Sequence, residues 1–412
     1  MFLNLRVDGW RQFKNVDINF HRRLTVLTGA NGAGKTTLLN LIGSHFGWET
    51  DFVSTPVHGA KEQGVLKYIA GFWRGQHAVI STGERATVGA ITYSDGSQAQ
   101  LTTPAETGAI YNIHLAHAQH VNGLHIPSHR PVYTYQSVIS IPTTPKTREY
   151  AFQQYAFVSK SRMRGRPAQQ AANFYMKETL LSLAALGYGN QVVARNEEAV
   201  QTFEEFTEVL RAVLPPKLGF QRIAVRFPEV VLETRSGDFS LDGVSGGIAS
   251  ILDISWQVFM YAPRDAAFVV TLDEPENHLH PELQRTIVPS LVSAFPHAQF
   301  IVATHSPFVV SSVMDSNVYV LDYDAENRIR STLLDTVNKA GTSNEILRDV
   351  LGLSFTMPLW VENRLNHIIE KYERQELNAR TFAQLRAEMS EIGLEKLIPE
   401  TIAQVVERNV PR

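Results

Sequence analysis

Apolar runs that end in polar or glycine-rich turns alternate with helix-type patterns along most of this chain. Near the N-terminus three such runs predict strands, FLNLRVDG, FKNVDINF and LTVLT, and the second alternates apolar and polar residues. Two later runs, 267–272 and QFIVA, are almost wholly apolar, as in parallel strands that are buried on both faces. The pattern predicts an α/β fold with a mixed central sheet.

The pattern changes twice between the early and late strands. Residues 76–145 predict a β-rich insertion, in which TVGAITYSDGSQAQLTT has the composition of a hairpin and PVYTY is a strand that ends at Gln136. Residues 146–216 predict a helical lobe, because apolar residues such as Phe203 and Phe206 recur at helical spacing before two prolines end the run. We therefore expect an antiparallel β subdomain and a helical insertion lobe within one head.

The C-terminal part of the chain is predicted to be helical. TSNE offers a capping box between Thr342 and Glu345. An amphipathic stripe then comprises Val361, Leu365, Ile368, Ile369 and Tyr372. The organisation that we expect is a head over 1–341 followed by a C-terminal helical appendage over 342–412.

The segment GANGAGKT follows the third strand and opens a helix, and it matches the phosphate-binding pattern GxxxxGK(S/T). Its glycines let several backbone N–H groups approach one anion, and the helix N-terminus adds partial positive charge. Lys35 would reach the β- and γ-phosphates, and the Thr36 hydroxyl would bind Mg²⁺. The predicted nucleotide-binding residues are Asn31, Gly32, Ala33, Gly34, Lys35, Thr36 and Thr37.

Two polar tips follow the late apolar strands, Asp273-Glu274 after one and His305 after the other. Open α/β sheets bind ligands at the carboxyl ends of their strands. Phosphoryl transfer needs a metal ion, a residue that positions the attacking water, and contacts to the γ-phosphate. We predict that Asp273 holds Mg²⁺ together with Thr36. Glu274 would be the general base, and His305 would contact the γ-phosphate.

Composition and charge exclude few classes of protein. Of the 412 residues, 44% are apolar and 19% are charged, as in ordinary globular proteins, and the net charge of −3 gives no general attraction to nucleic acid or membranes. The chain has no cysteine, which rules out disulfides and thiolate metal sites. MFLNLRVDGW does not resemble a signal peptide, and no apolar run approaches the ~20 residues that cross a bilayer. We expect a cytoplasmic protein without membrane contact.

Three local features have a structural explanation beside a functional one. The histidines between 114 and 129 invite a metal site, but the segment interleaves no acid or cysteine, which favours alternating strand faces. An aromatic residue of the N-terminal sheet could stack on a nucleotide base, although a core position is favoured for each of Trp10, Phe13 and Phe20. A basic cluster could contact nucleic acid or an acidic partner, or be a solvated surface. Its members are Lys146, Arg148, Lys160, Arg162, Arg164 and Arg166.

Four segments together resemble the motifs of ABC-type ATPases, in the branch that includes SMC-like, RecF-like and OLD-type proteins. GANGAGKTT, VSGG, VVTLDEPENHLHP and ATHSP correspond to Walker A, the signature, Walker B with the D-loop, and the His-switch. The resemblance implies ATP and Mg²⁺ as cofactors and Gln136 as a further ligand of Mg²⁺. It also implies that two heads close over ATP, in a dimer or higher oligomer. The signature residues Ser245, Gly246 and Gly247 of one subunit would then face the γ-phosphate bound by the other.

Architecture narrows the resemblance to the ATPase subunits of two-gene anti-phage systems, the PtuA-like and AriA-like proteins. After residue 342 we find no strand-borne acidic cluster of the kind that OLD nucleases carry, so an HNH or TOPRIM nuclease would be a separate partner. Ile248 stands where transporter signatures have glutamine, which disfavours a transporter. The expected function is an ATP-hydrolysing regulator or scaffold of such a nuclease. The alternatives are a RecF-like DNA-repair ATPase and an ATP-gated assembly protein with negligible turnover, against which Glu274 argues.

Overall fold

The structure is a computed structural model, and it describes residues 1–58, 66–70, 85–104, 107–163, 165, 170–335, 341–350, 359–372, 378–391, 393–399 and 401–402. Contacts between residues divide the chain into two units, Met1–Gly352 and Leu353–Arg412. We describe each unit by itself.

The strands, in chain order, are β1 (Phe2–Val7), β2 (Val16–Asn19), β3 (Leu24–Gly29), β4 (Phe52–Val53), β5 (Thr55–His58), β6 (Leu66–Ile69), β7 (Arg85–Tyr93), β8 (Gln98–Pro104), β9 (Ile110–Tyr111), β10 (His114–Ala116), β11 (Gly123–Ile126), β12 (Phe220–Arg226), β13 (Glu229–Thr234), β14 (Phe239–Ser240), β15 (Phe268–Asp273), β16 (Ala298–Ala303), β17 (Asn317–Tyr323) and β18 (Ile329–Leu333). The helices are α1 (Lys35–Gly43), α2 (Arg148–Met163), α3 (Ala172–Gly187), α4 (Glu197–Val213), α5 (Gly246–Tyr261), α6 (Pro281–Gln284), α7 (Ile287–Ala294), α8 (Pro307–Val310), α9 (Ser343–Glu345), α10 (Leu359–Tyr372) and α11 (Ala379–Glu391).

A six-stranded mixed sheet forms the centre of the first unit, in the order β11-β15-β16-β3-β17-β18. All neighbours are parallel except β17 and β18. Every residue of β3, β15 and β16 is buried, as their apolar runs predicted. Asp273 pairs with Ala303, which pairs with Leu27, so these three strands end at the same level. The segments that follow them therefore meet at one edge of the sheet.

A five-stranded antiparallel sheet, β10-β8-β7-β1-β2, lies beside the central sheet. β7 and β8 form the predicted hairpin, which turns at residues 94–97, so that prediction is confirmed. Gln299 on β16 joins the two sheets, because its Nε2 donates to Phe2 O at 2.9 Å and its Oε1 accepts from Phe2 N at 3.1 Å. Residues 76–84 of the predicted insertion lie outside the described residues.

The helical lobe consists of α2, α3 and α4, which pack with α5 on a shared apolar core. The predicted core positions Phe203 and Phe206 are buried there, and the rings of Phe206 and Trp256 meet edge to face with centroids 5.0 Å apart. A small sheet, β12-β13-β14, precedes the turn that leads into α5. This arrangement sets the start of α5 at the surface of the first unit.

The prediction that PVYTY forms a strand is wrong, because residues 127–147 form neither helix nor strand. The strand of this region is β11, which ends four residues before Arg130 and pairs in parallel with β15. Here a side chain of the helical lobe, and not a neighbouring strand, makes hydrogen bonds to the backbone. Asn173 Nδ2 donates to Thr134 O at 2.9 Å, and Asn173 Oδ1 accepts from Thr134 N at 3.4 Å. The apolar–polar pattern of the segment could not reveal a side-chain partner on α3.

The Thr342 capping box is confirmed, with Thr342 as N-cap of α9 and reciprocal hydrogen bonds to Glu345. In the second unit, α10 and α11 pack on each other around apolar side chains. The five predicted stripe residues of α10, Val361 to Tyr372, are all buried against partners such as Leu385 and Met389. Among the described helices, none combines the length and apolarity that crossing a membrane would require.

Candidate functional site

The loop between β3 and α1 has a backbone that depends on glycine at two positions. Gly29 has φ +138° and Gly34 has φ +85°, both in the region that L-residues avoid. A Cβ atom at Gly29 would overlap Leu321 O of β17, and one at Gly34 would overlap the Phe13 ring. The glycines therefore allow the loop to lie against its neighbours and to open directly into α1.

Lys35 lies at the centre of this loop and is only 5% exposed. Its Nζ donates to Gly29 O at 2.8 Å and to Ala30 O at 3.1 Å, and it lies 3.3 Å from His305 Nδ1. Burial lowers the pKa of Lys35 to about 8, although the carboxylates of Glu274 and Asp273 oppose the shift. The ammonium is thus held where the phosphates of a nucleotide would be its natural partners.

Thr36 and Asp273 form a pair of oxygen donors at the start of α1. Thr36 Oγ1 donates to Asp273 Oδ2 at 2.9 Å. Asp273 is 2% exposed, its Oδ1 has no hydrogen-bond partner among the described residues, and burial raises its pKa to about 6. A buried carboxylate oxygen without a donor beside a hydroxyl suits a hard divalent cation such as Mg²⁺. The two residues fit the metal role predicted for them.

Glu274 and His305 lie side by side at the ends of β15 and β16. Glu274 Oε1 is 3.4 Å from His305 Nε2, and Glu274 Oε2 accepts from Asn277 Nδ2 at 2.8 Å. Burial and the charge of Lys35 lower the pKa of His305. Glu274 itself has φ +46°, a conformation that costs a non-glycine residue roughly 1–3 kcal/mol. Such strain at the predicted base is consistent with a functional turn.

Glu276 orients the loop that carries His305, a role that the sequence analysis missed. Its Oε1 accepts from Thr304 Oγ1 at 2.6 Å, from His305 N at 2.8 Å and from Ser306 N at 3.2 Å. The available signal was the second glutamate of DEPE, a further carboxylate three residues after the end of a buried strand.

A cavity of about 550 Å³ connects these groups with the β1–β2 turn. Its lining comprises Arg11, Gln12, Phe13, Asn31, Gly32, Gly34, Lys35, Thr36, Thr37, Glu274 and His305. Ala33 is buried beneath the loop. Gln12 Nε2 donates to Gly32 O, and the Arg11 guanidinium lies 5.7 Å from the centre of the Trp10 ring. Arg11 and Gln12 were not among the predicted site residues, and their signal in the sequence was a polar pair between two aromatic residues.

The aromatic residues proposed for base stacking are all in the core. Trp10 is 2% exposed, Phe13 is 1% exposed and Phe20 is 7% exposed. The core position that was favoured for each of them is confirmed.

Gln136 is not brought into this cavity. Its Oε1 accepts from Ala171 N at 2.8 Å, immediately before α3, and it is absent from the cavity lining. The segment after β11 leaves the sheet and is held by the lobe, so its glutamine faces the lobe instead of Thr36. The predicted metal set is reduced to Thr36 and Asp273.

The signature residues lie outside the cavity as well. Ser245 is the N-cap of α5, where its hydroxyl accepts from Ile248 N at 3.5 Å, and Ser245 and Gly246 are exposed. Gly247 lies against the turn after β15, since a Cβ atom there would be 3.1 Å from His278 O. The start of α5 therefore presents its N–H groups outward.

One histidine of the segment 114–129 and three members of the basic cluster make contacts within the protein. His125 is buried, with Nδ1 2.9 Å from Thr271 Oγ1, and burial lowers its pKa to about 3. Lys146 pairs with Glu178. Arg148 Nη2 donates to Ala262 O at 2.8 Å, and Lys160 Nζ donates to Gly47 O at 3.0 Å. Arg162 is exposed, and Arg164 and Arg166 lie outside the described residues.

Nucleotide affinity should fall as the pH rises above about 8. The Lys35 ammonium has a pKa of about 8 in the free protein, and bound phosphates would raise that pKa. At a pH below both pKa values, Lys35 is charged in the free and in the nucleotide-bound protein. Above about pH 8 the free lysine is neutral and binding must take up a proton, so the affinity falls by up to about tenfold per pH unit. Titration with a fluorescent ATP analogue between about pH 7.5 and pH 9.5 measures this. A flat profile, or an unchanged slope in Lys35→Arg, would contradict it.

Comparison with known proteins found matching family models and several relatives. Residues 92–311 match the family model described as "AAA domain, putative AbiEii toxin, Type IV TA system", and residues 4–98 match a model described as "AAA domain". The Septu protein PtuA of Bacillus thuringiensis is 21% identical over 87% of this chain and 86% of that protein. The Retron Vc95 probable ATPase of Vibrio cholerae is 28% identical over 43% of this chain but only 34% of that protein.

The solved structures to which this chain is similar include SMC heads. The SMC head bound to the C-terminal winged-helix domain of ScpA superposes with a TM-score of 0.46 at 15% identity, over 81% of this chain and 97% of that chain. The SMC head domain from Thermotoga maritima gives a TM-score of 0.40 at 14% identity, over 81% of this chain and 99% of that chain.

The resemblance inferred from the motifs is thus confirmed by relatives that are named as a Septu protein and as a probable retron ATPase. The first family model spans more than half of the chain. The protein is a P-loop ATPase, and it belongs to the AAA-domain family described as "AAA domain, putative AbiEii toxin, Type IV TA system".

Proposed function

We propose that the protein hydrolyses ATP with Mg²⁺, closes on ATP as a dimer or higher oligomer of heads, and thereby regulates a separate HNH or TOPRIM nuclease in the bacterial cytoplasm. The observation that carries the proposal is the level ending of β3, β15 and β16. It sets Lys35, the Thr36–Asp273 pair and the Glu274–His305 pair around one cavity. Similarity to the Septu protein PtuA supports our proposal that this control of a nuclease serves anti-phage defence.

The residues divide the hydrolytic step among them. Lys35 and the loop N–H groups bind the β- and γ-phosphates. Thr36 and Asp273 would hold the metal ion, which would supply positive charge for the phosphate oxygens. Glu274 takes a proton from the attacking water, because its carboxylate is fixed by Asn277 and faces the cavity. His305, held by Glu276 through its backbone N–H, orients the γ-phosphate end of the site.

The signature supports a site that a second subunit completes. Ser245 and Gly246 are exposed at the N-terminus of the 16-residue helix α5, outside the cavity of their own subunit. A helix N-terminus with glycine and serine is a suitable anion ligand. Asp242, three residues earlier, pairs with the fully buried Lys177 of α3, which anchors this surface to the lobe.

Ser245→Arg should prevent ATP-dependent dimerisation, because a long cationic side chain would cover the N–H groups of α5 and occupy the space of the partner's γ-phosphate. Analytical ultracentrifugation with ATP and Mg²⁺ measures the effect, and nucleotide binding by the monomer should be unchanged. Ser94→Arg, in the exposed turn of the β7–β8 hairpin, is the matched control. Dimerisation of the Ser245 variant at the normal ATP concentration would refute the shared site.

The RecF-like alternative, direct DNA contact through the basic cluster, has less support. Lys146, Arg148 and Lys160 are engaged within the protein. The exposed Arg162 is the described member of the cluster on which such a contact would depend.

A further inference from the structure

Arg130 connects the end of β11 to the two residues that carry the predicted metal and base chemistry. Its Nη1 donates to Ser128 O at 3.0 Å and to Glu274 O at 3.0 Å, and its Nη2 donates to Asp273 O at 3.1 Å. One guanidinium thus binds the main-chain carbonyls of both Asp273 and Glu274. Arg130 is not among the residues that line the nucleotide cavity.

The turn that Arg130 binds needs an external restraint. Glu274 has φ +46°, which a glutamate adopts only when its surroundings impose it. Asn277 supplies a second connection to the same anchor, because its Nδ2 donates to Glu274 Oε2 at 2.8 Å and to Ser128 O at 3.3 Å. The backbone and the carboxylate of Glu274 are therefore both fixed relative to Ser128, one through Arg130 and the other through Asn277.

Carboxylates inside the protein partly offset the burial of the Arg130 guanidinium. Burial lowers its pKa, while carboxylates raise it, Asp253 first among them. Asp253 is on α5 and is 1% exposed, and it accepts hydrogen bonds from the Tyr155 hydroxyl and from Gln257 Nε2 at 3.0 Å. A guanidinium stays charged under these conditions and can present two donors in one plane to successive carbonyls, which an ammonium cannot do.

We propose that Arg130 is a positioning residue for hydrolysis, which holds the Asp273–Glu274 turn so that the Glu274 carboxylate stays directed at the attacking water. This inference rests on the proposed ATPase function. Arg130 does not itself contact the nucleotide. Its loss should therefore act on the chemical step and leave binding of the substrate unchanged.

The test compares Arg130→Met and Arg130→Lys with the wild type in the full chain, by single-turnover ATP hydrolysis, by the Kd of a fluorescent ATP analogue and by thermal unfolding. A displacement of the base by about 1 Å lowers a rate about 100-fold, so we expect that loss for Arg130→Met, with Kd within about twofold. The single-turnover rate of Arg130→Lys should fall between those of Arg130→Met and the wild type, because lysine keeps the positive charge but has only one donor nitrogen. Guanidinium added to Arg130→Ala should restore part of the rate.

Arg23→Met is the matched control. Arg23 is another half-buried arginine whose guanidinium binds main-chain carbonyls, Phe295 O and Ala298 O at 3.3 Å each, but near the opposite end of β16. It should lower the Tm as Arg130→Met does and leave the single-turnover rate unchanged. A merely structural role for Arg130 predicts equal behaviour of the two variants.

A double variant shows whether Arg130 acts through Glu274. If it does, Arg130→Met combined with Glu274→Gln should be no slower than Glu274→Gln alone. Additive losses, a normal rate in Arg130→Met, or loss of nucleotide binding would each overturn the proposal. A wild-type protein that binds ATP without hydrolysing it would instead refute the proposed function, and with it the step that Arg130 is inferred to serve.

Discussion

Glu274→Gln should lower the rate of ATP hydrolysis about 1000-fold while ATP still binds. Glutamine keeps the size of the side chain and can still bond Asn277, but it cannot accept the proton of the attacking water. The ATP-bound, closed oligomer should then accumulate, since hydrolysis is the step that would open it. Phosphate release measures the rate, and light scattering measures the mass of the oligomer. Protection against phage should be lost, because the switch no longer cycles.

A surface glutamate provides the control for this variant. Glu282 is exposed and pairs with Lys217 at 2.7 Å, so Glu282→Gln removes the same charge without touching the site. Turnover by Glu274→Gln close to the wild-type rate would exclude Glu274 as the base. Full protection by that variant would show that defence does not depend on hydrolysis.

Lys35→Ala should abolish ATP binding at ordinary concentrations and leave the fold intact. Loss of the charge-assisted bonds to two phosphates weakens affinity by about 3 kcal/mol, or roughly 100-fold. Stability should not suffer, because burial already disfavours the ammonium, as its lowered pKa indicates. Equilibrium titration with a fluorescent nucleotide and thermal unfolding measure the two quantities, and phage challenge of cells that carry the nuclease gene measures protection.

Lys217→Ala is the counterpart of this variant, since it removes an exposed lysine from the same ion pair with Glu282. It should bind nucleotide as the wild type does. Normal ATP affinity in Lys35→Ala would mean that the loop between β3 and α1 is not the phosphate site. Normal affinity combined with lost protection would point to a role for Lys35 after binding.

The sequence motifs predicted which residues lie together around the cavity. The glycines and Lys35-Thr36 indicate a phosphate-binding loop, because few other structures need those residues at that spacing. Asp273, Glu274 and His305 each follow an apolar run, and parallel strands bring such tips to one edge of a sheet. The structure brings Lys35, Glu274 and His305 into contact with one cavity, as this logic requires.

The sequence could not predict the contacts of residues whose bonding partners lie far away along the chain. The resemblance implied Gln136 as a ligand of Mg²⁺, but the segment that carries it is bound by the helical lobe, where Asn173 on α3 bonds the backbone of Thr134. Arg130 and Asn277 act through main-chain carbonyls and a side chain far along the chain, and no periodicity reports such contacts. A polar residue beside a buried strand end indicates that a partner exists without saying which one.

The position of β3 in the central sheet has a consequence for synthesis on the ribosome. Its neighbours are β16 and β17, so the apolar strand that leads into the phosphate loop stays unpaired until residues 298–323 have emerged. At a translation rate of about 5–20 residues per second, the nascent chain carries that exposed strand for roughly 15 to 60 seconds. Nucleotide can then assist only the last stage of folding, after the final parallel strand has joined the sheet.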